Sequence, residues 1–107
     1  MTEVTVGSGN VFEDLGYRDP EEAKAKANLA WYISSVIKQR GLTQVEAAEI
    51  LGIDQPKVSN LVRGKLRDFS LERLIRFVIA LGNDVRIEVN QPDEQHIGHG
   101  HLKVYAA

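Results

Sequence analysis

The stretches "QVEAAEIL" and "QPKVSNLV" are separated by only three residues, Gly52, Ile53 and Asp54, and this pair constrains the fold more than any other feature. Helices this short are not stable alone, so both must be capped and packed. The sequence supplies both. Thr43 followed by Glu46 is a capping box, Gly52 can take the left-handed conformation that stops a helix, and Asp54 can cap the next one. Pro56 is tolerated because the first helical turn needs no internal N–H partner. Ala47 and Ala48 are small where two helices would cross steeply, and Leu51, Ile53, Val58 and Leu61 can lock the pair to a core, with Val62 also expected inward.

Each side of the pair carries a longer helical pattern. Asp19 and Pro20 open a helix that the spacing predicts to about Arg40, with Leu29, Ile33, Val36 and Ile37 as its buried stripe and Gly41 as its end. Trp31 is expected in the core, with a partner surface as the alternative for it and Tyr32. Ser70 caps a further helix whose Leu71, Leu74, Phe77, Val78 and Leu81 form one apolar side before Gly82.

After Gly82 the period changes to two. Val85, Ile87 and Val89 alternate with Arg86 and Glu88, as in a half-buried strand. A lone strand is unstable, so it must pair with the N-terminal arm, with "HLKVY" near the C-terminus, or with the same strand of a second subunit. The expected fold is mainly α, a helical bundle with a C-terminal β-strand, in three parts. These are a flexible acidic arm over 1–18, a helical domain over 19–82, and a strand and tail over 83–107.

The chain has 107 residues, 43% of them hydrophobic, which suits one core. It lacks cysteine, so no disulfide framework or thiolate metal site can be proposed. The N-terminus has neither a basic start nor an apolar run, which predicts a soluble, cytoplasmic protein without membrane association. The formal net charge of -2 argues weakly against a nucleic-acid partner, but the distribution matters more. Residues 1–22 hold six acids and one base, whereas residues 55–67 hold Lys57, Arg63, Lys65 and Arg67 and no acid.

The run "LTQVEAAEILGIDQPKVSNLVRGK" followed by "FSLERLIRFVIALG" resembles the lambda-repressor-like, or XRE, helix-turn-helix family over about residues 28–82. The resemblance implies a bundle in which the helix over 54–62 enters the DNA major groove. With "NVFEDLG" upstream and "ALGNDVRIEV" downstream, the longer pattern is similar to a HigA-type antitoxin subfamily. That likeness implies a toxin partner, commonly a RelE-like messenger-RNA nuclease, and repression of the protein's own operon. It also implies that Gln44 contacts phosphate.

The residue chemistry agrees on a DNA face. Gln55 and Asn60 can bond adenine, Lys57 can donate to guanine, Pro56 can meet a thymine methyl, and Ser59 lies on the same outer side. Thr43, Gln44, Arg63, Lys65 and Arg67 are the expected phosphate contacts. Two recognition helices of a homodimer would read an inverted-repeat operator in double-stranded DNA. Glu13, Asp14, Glu21 and Glu22 offer the acidic surface for a basic toxin. The alternatives are a stand-alone regulator without a toxin, or a protein-interaction module whose helix pair no longer binds DNA.

No enzyme is expected. The chain has no Cys nucleophile, no phosphate-binding glycine loop, and no His beside a credible Ser and acid pair. His96, His99 and His101 sit in a glycine-rich tail without ligand spacing, so neither a metal nor a cofactor is expected.

Overall fold

The computed structural model describes residues 19–91, 98 and 100–106. Four helices follow the predicted order: α1 Pro20–Gln39, α2 Gln44–Leu51, α3 Gln55–Val62 and α4 Leu71–Ala80. Each begins at an expected cap. The Asp19 carboxylate accepts from the Glu21 N–H at 2.8 Å, and the Ser70 hydroxyl accepts from the Arg73 N–H at 3.1 Å. Glu21 and Glu22 in the first turn of α1 and Lys38 in its last complement the helix dipole.

The core lies where α1 packs across α3 and α4 and where α2 closes on α3. Ile33 from α1, Val58 and Leu61 from α3 and Leu74 from α4 are fully buried, with Ala47 of α2 beside them. Each large apolar side chain buried this way contributes about 1.5–3 kcal/mol. Phe69, in the connection between α3 and α4, plugs the same core edge-on against Phe77 at 5.9 Å between ring centroids.

Several expectations are corrected. Trp31 is 70% exposed rather than packed in the core. The helical repeat turns it about 200° away from Ile33, so the stripe that buries Ile33 turns Trp31 outward. Val62, at 37% exposure, lies on the far side of Val58 from Leu61 and is not inward. In the opposite sense, Lys26 is only 4% exposed; it stands two turns before Ile33 on the buried stripe, its Nζ 4.0 Å from Glu22.

The predicted C-terminal strand is the largest correction: no strand forms among the described residues. Residues 84–91 run without regular structure, with Ile87 at 74% and Val89 at 93% exposure. The "HLKVY" segment does not serve as their partner. It lies instead along the start of α1, where Leu102 N–H donates to Glu21 Oε1 at 3.1 Å and Asn28 Nδ2 donates to the Val104 carbonyl at 3.4 Å. Val104 packs against the core. The expected acidic arm over 1–18, one of the possible partners for that strand, lies outside the described residues.

Candidate nucleic-acid interface

The interface is built from the α2–α3 unit. Thr43 Oγ1 accepts from the Glu46 N–H at 3.1 Å while Glu46 Oε1 accepts from the Thr43 N–H at 2.8 Å, closing the capping box. Gly52 stops α2 with φ 71°, and its N–H and that of Ile53 both donate to the Ala48 carbonyl, at 2.8 and 3.1 Å. An added Cβ at Gly52 would meet nothing within 4 Å, so glycine is needed there for its backbone conformation rather than for space. The chain then re-enters a helix at Asp54, whose carboxylate accepts from the Lys57 N–H at 2.9 Å. This capping role accounts for an acid at the leading end of a helix otherwise suited to DNA.

The structure fixes where the base-reading candidates stand. Gln55, Pro56 and Lys57 are exposed in the first turn of α3, and Ser59 and Asn60 are half-buried one turn later. Val58 and Leu61 define the inward face, so Pro56, Ser59 and Asn60 form the outward crown. Lys57 sits to one side. Together with Gln55 it lines a groove shared with Val45 and Glu49 of α2 and Arg73 of α4.

The phosphate candidates fall at both ends of the unit. Thr43 and Gln44 are exposed at the start of α2; the Thr43 hydroxyl, accepting a cap bond, keeps its own proton to donate. Arg63 is folded back on α3, its Nη2 donating to Asn60 Oδ1 at 3.3 Å and its Nε to the Ser59 carbonyl at 3.4 Å. Gly64, with φ 75°, turns the chain so that the Lys65 N–H donates to the Asn60 carbonyl at 2.8 Å. Arg63, Lys65 and Arg67 are thus exposed around the C-terminal end of α3, about 12 Å from its first residue. These phosphate-contact candidates and the base-reading candidates are thus set at opposite ends of α3.

The proposed partner-binding acids are not brought together in the same way. Glu21 contacts the His101 ring and the Leu102 N–H, Glu22 lies beside Lys26, and Glu13 and Asp14 lie outside the described residues. His96 and His99 also lie outside them.

Arg73 was not among the sequence-derived candidates. Its guanidinium carbon lies 5.5 Å from the Phe69 ring centroid and 5.7 Å from that of Phe77, and Nη1 donates to the Asp68 carbonyl at 3.5 Å. A cation held on two rings beside Gln55 and Lys57 is pre-positioned for an anion. The spacing Phe69, Arg73, Phe77, four residues apart each time, was a legible trace of it.

Comparison with known proteins agrees with this geometry. A family model described as a helix-turn-helix domain matches residues 11–90. A solved structure assigned to the XRE family of transcriptional regulators is similar at 40% sequence identity with a TM-score of 0.76, over 84% of this chain and 100% of that one. Among curated proteins none matches. With the matched residues running through all four helices and into the segment after α4, the chain belongs to the XRE-type helix-turn-helix family of transcriptional regulators.

Proposed function

We propose that the protein is a sequence-specific transcriptional repressor that binds an inverted-repeat operator as a homodimer, with α3 of each subunit in the major groove. The observation that carries this reading is the outward crown of α3, exposed Pro56 and half-buried Ser59 and Asn60 with Gln55 and Lys57 beside it, backed by Val58 and Leu61 buried on the opposite side. Polar side chains that can pair with base edges occupy the outward face of a helix whose inward face is fixed by the core. Thr43, Gln44, Arg63, Lys65 and Arg67 position the unit on phosphates, and Arg73 adds a further cation. The two recognition helices engage half-sites about 34 Å apart.

The test is titration of operator and scrambled duplexes with the protein and with Lys57→Ala/Asn60→Ala. Loss of discrimination between the duplexes is expected. Retention of specific binding by the double variant would remove these two residues from the reading.

We further propose that this repressor is the cytoplasmic antitoxin of a toxin–antitoxin pair and autoregulates its operon, with a RelE-like nuclease as partner. The support is Trp31, 70% exposed on α1, since large exposed aromatics are characteristic anchors of protein interfaces. The acids Glu13, Asp14, Glu21 and Glu22 would add complementary charge toward a basic nuclease. Purification from the native host should recover a small basic protein, and Trp31→Ala should weaken its retention. Recovery of the repressor alone would instead support a stand-alone regulator.

A further inference from the structure

The last turn of α3 carries a side-chain pair that bears on which base the helix reads. Arg63 caps α3, and its guanidinium turns back over that turn: Nε donates to the Ser59 carbonyl at 3.4 Å and Nη2 to Asn60 Oδ1 at 3.3 Å. The Ser59 carbonyl also accepts from the Arg63 N–H at 3.1 Å, at the carbonyl-rich end of the helix where a cation is favoured. A guanidinium has only donors, so the Asn60 amide can meet it only with its oxygen. Oδ1 therefore faces Arg63, and Nδ2 carries the N–H groups left to meet a partner.

We infer that Arg63 is a specificity-determining positioning residue: it turns the Asn60 amide into a hydrogen-bond donor, so that the base opposite Asn60 is guanine rather than adenine. This deepens the repressor reading above and rests on it. An asparagine free to use both ends of its amide pairs with adenine, accepting from N6–H and donating to N7. Guanine instead shows two acceptors, N7 and O6, in the major groove, and these suit an amide that has only donors to offer.

Oδ1 has a second lone pair, but the cation beside it decides what can approach. Adenine N6 would bring a further positive N–H toward the guanidinium, whereas guanine O6 brings an acceptor. Arg63 keeps N–H donors beyond those given to Ser59 and Asn60, so holding the amide does not remove it from a flanking phosphate. In the free protein the pair is exposed and weak; docking against a base removes water and strengthens it. The surroundings leave this polarity uncontested. Residues 55–62 contain no carboxylate, the Asp54 carboxylate accepts from the Lys57 N–H at 2.9 Å, and the Lys57 ammonium is itself only a donor.

Sequencing the duplexes that the full chain retains from a randomised pool tests this directly. The base pair read by Asn60 is the one whose preference Asn60→Ala abolishes. There the unaltered chain should enrich guanine over adenine about tenfold, and Arg63→Ala should bring adenine to parity or above. Arg63→Ala combined with Asn60→Ala should rank the bases at that position as Asn60→Ala alone does, because the effect passes through the amide. Arg63 is exposed, so a changed ranking does not report lost folding, and loss of a phosphate contact would weaken every duplex alike.

Enrichment of adenine by the unaltered chain, an Arg63→Ala variant that keeps the base ranking, or an Asn60→Ala variant that alters no position would each overturn the inference and leave the repressor reading standing. A pool that yields no enriched sequence would overturn both.

Discussion

The α2–α3 unit and the segment after α4 are built from comparably clear patterns but complete themselves differently. Both helices of the unit bond their own backbone, close their ends with Thr43, Gly52 and Asp54, and bury Ala47, Leu51, Val58 and Leu61 within the same chain. The segment from Val85 to Val89 has an equally regular alternation, yet its backbone groups need a neighbouring strand and its apolar face needs a cover. A helix can be finished by its own sequence, whereas a single strand only states a requirement. The first region is closed within one copy; the second leaves Ile87 and Val89 exposed.

This contrast makes its sharpest prediction in stability. Leu61→Ala removes a fully buried side chain at the junction of α1 and α3 and should cost about 2–5 kcal/mol in urea unfolding. Ile87→Ala, a comparable truncation at an exposed site, should leave the unfolding of the monomer within about 0.5 kcal/mol. Equal losses at both positions, measured at a protein concentration where the monomer dominates, would show that the segment is packed within one chain.

The next effect separates reading from folding. Asn60→Ala should lower operator affinity by about 1–3 kcal/mol and relax discrimination at its base pair, with little change in unfolding. Because Asn60 also accepts from Arg63, the paired variant Arg63→Ala measures how much of the loss passes through that contact. A smaller cost, about 1 kcal/mol of stability, is expected from Thr43→Ala through the lost cap and from Gly52→Ala through a residue forced to positive φ.

How much of this was legible follows from where each interaction is made. Asp19, Thr43, Asp54 and Ser70 cap helices through bonds spanning two or three residues, so sequence spacing was enough to place every helix start. Leu29, Ile33, Val36 and Ile37 were recoverable because a stripe repeats along one helix. Trp31 departs from expectation because its angle on α1 turns it away from Ile33, and Val62 because it falls on the far side of Val58 from Leu61. Phe69 belongs to no stripe; its burial depends on how α4 returns over α1 and α2.

The interface shows the same division. Gln55, Pro56, Lys57, Ser59 and Asn60 could be chosen from chemistry, but their order around α3 was visible only once Val58 and Leu61 had fixed the inward face. That placed Lys57 beside Arg73 and Glu49 rather than at the crown. The tail behaved least as expected. "HLKVY" had the look of a strand, but Glu21 and Asn28 on α1 draw it along the helix, a contact about eighty residues distant that no local pattern records.

The smallest predicted effect bears on charge at the two ends of the comparison. Lys65 is exposed on a turn anchored to α3 and is assigned to phosphate, so Lys65→Ala should weaken binding to all duplexes alike and reduce the slope of log affinity against log salt by about one. Arg86 is also exposed and carries the same charge, but its counterpart is Glu88 and its place is after α4. Arg86→Ala should therefore leave that slope unchanged when binding is measured above the dimerisation range. Titrations at several salt concentrations distinguish the two. If both variants shift the slope equally, the basic run at the end of α3 is only part of a diffuse field. If Lys65 alone shifts it, the charge that meets DNA is concentrated at the C-terminal end of α3.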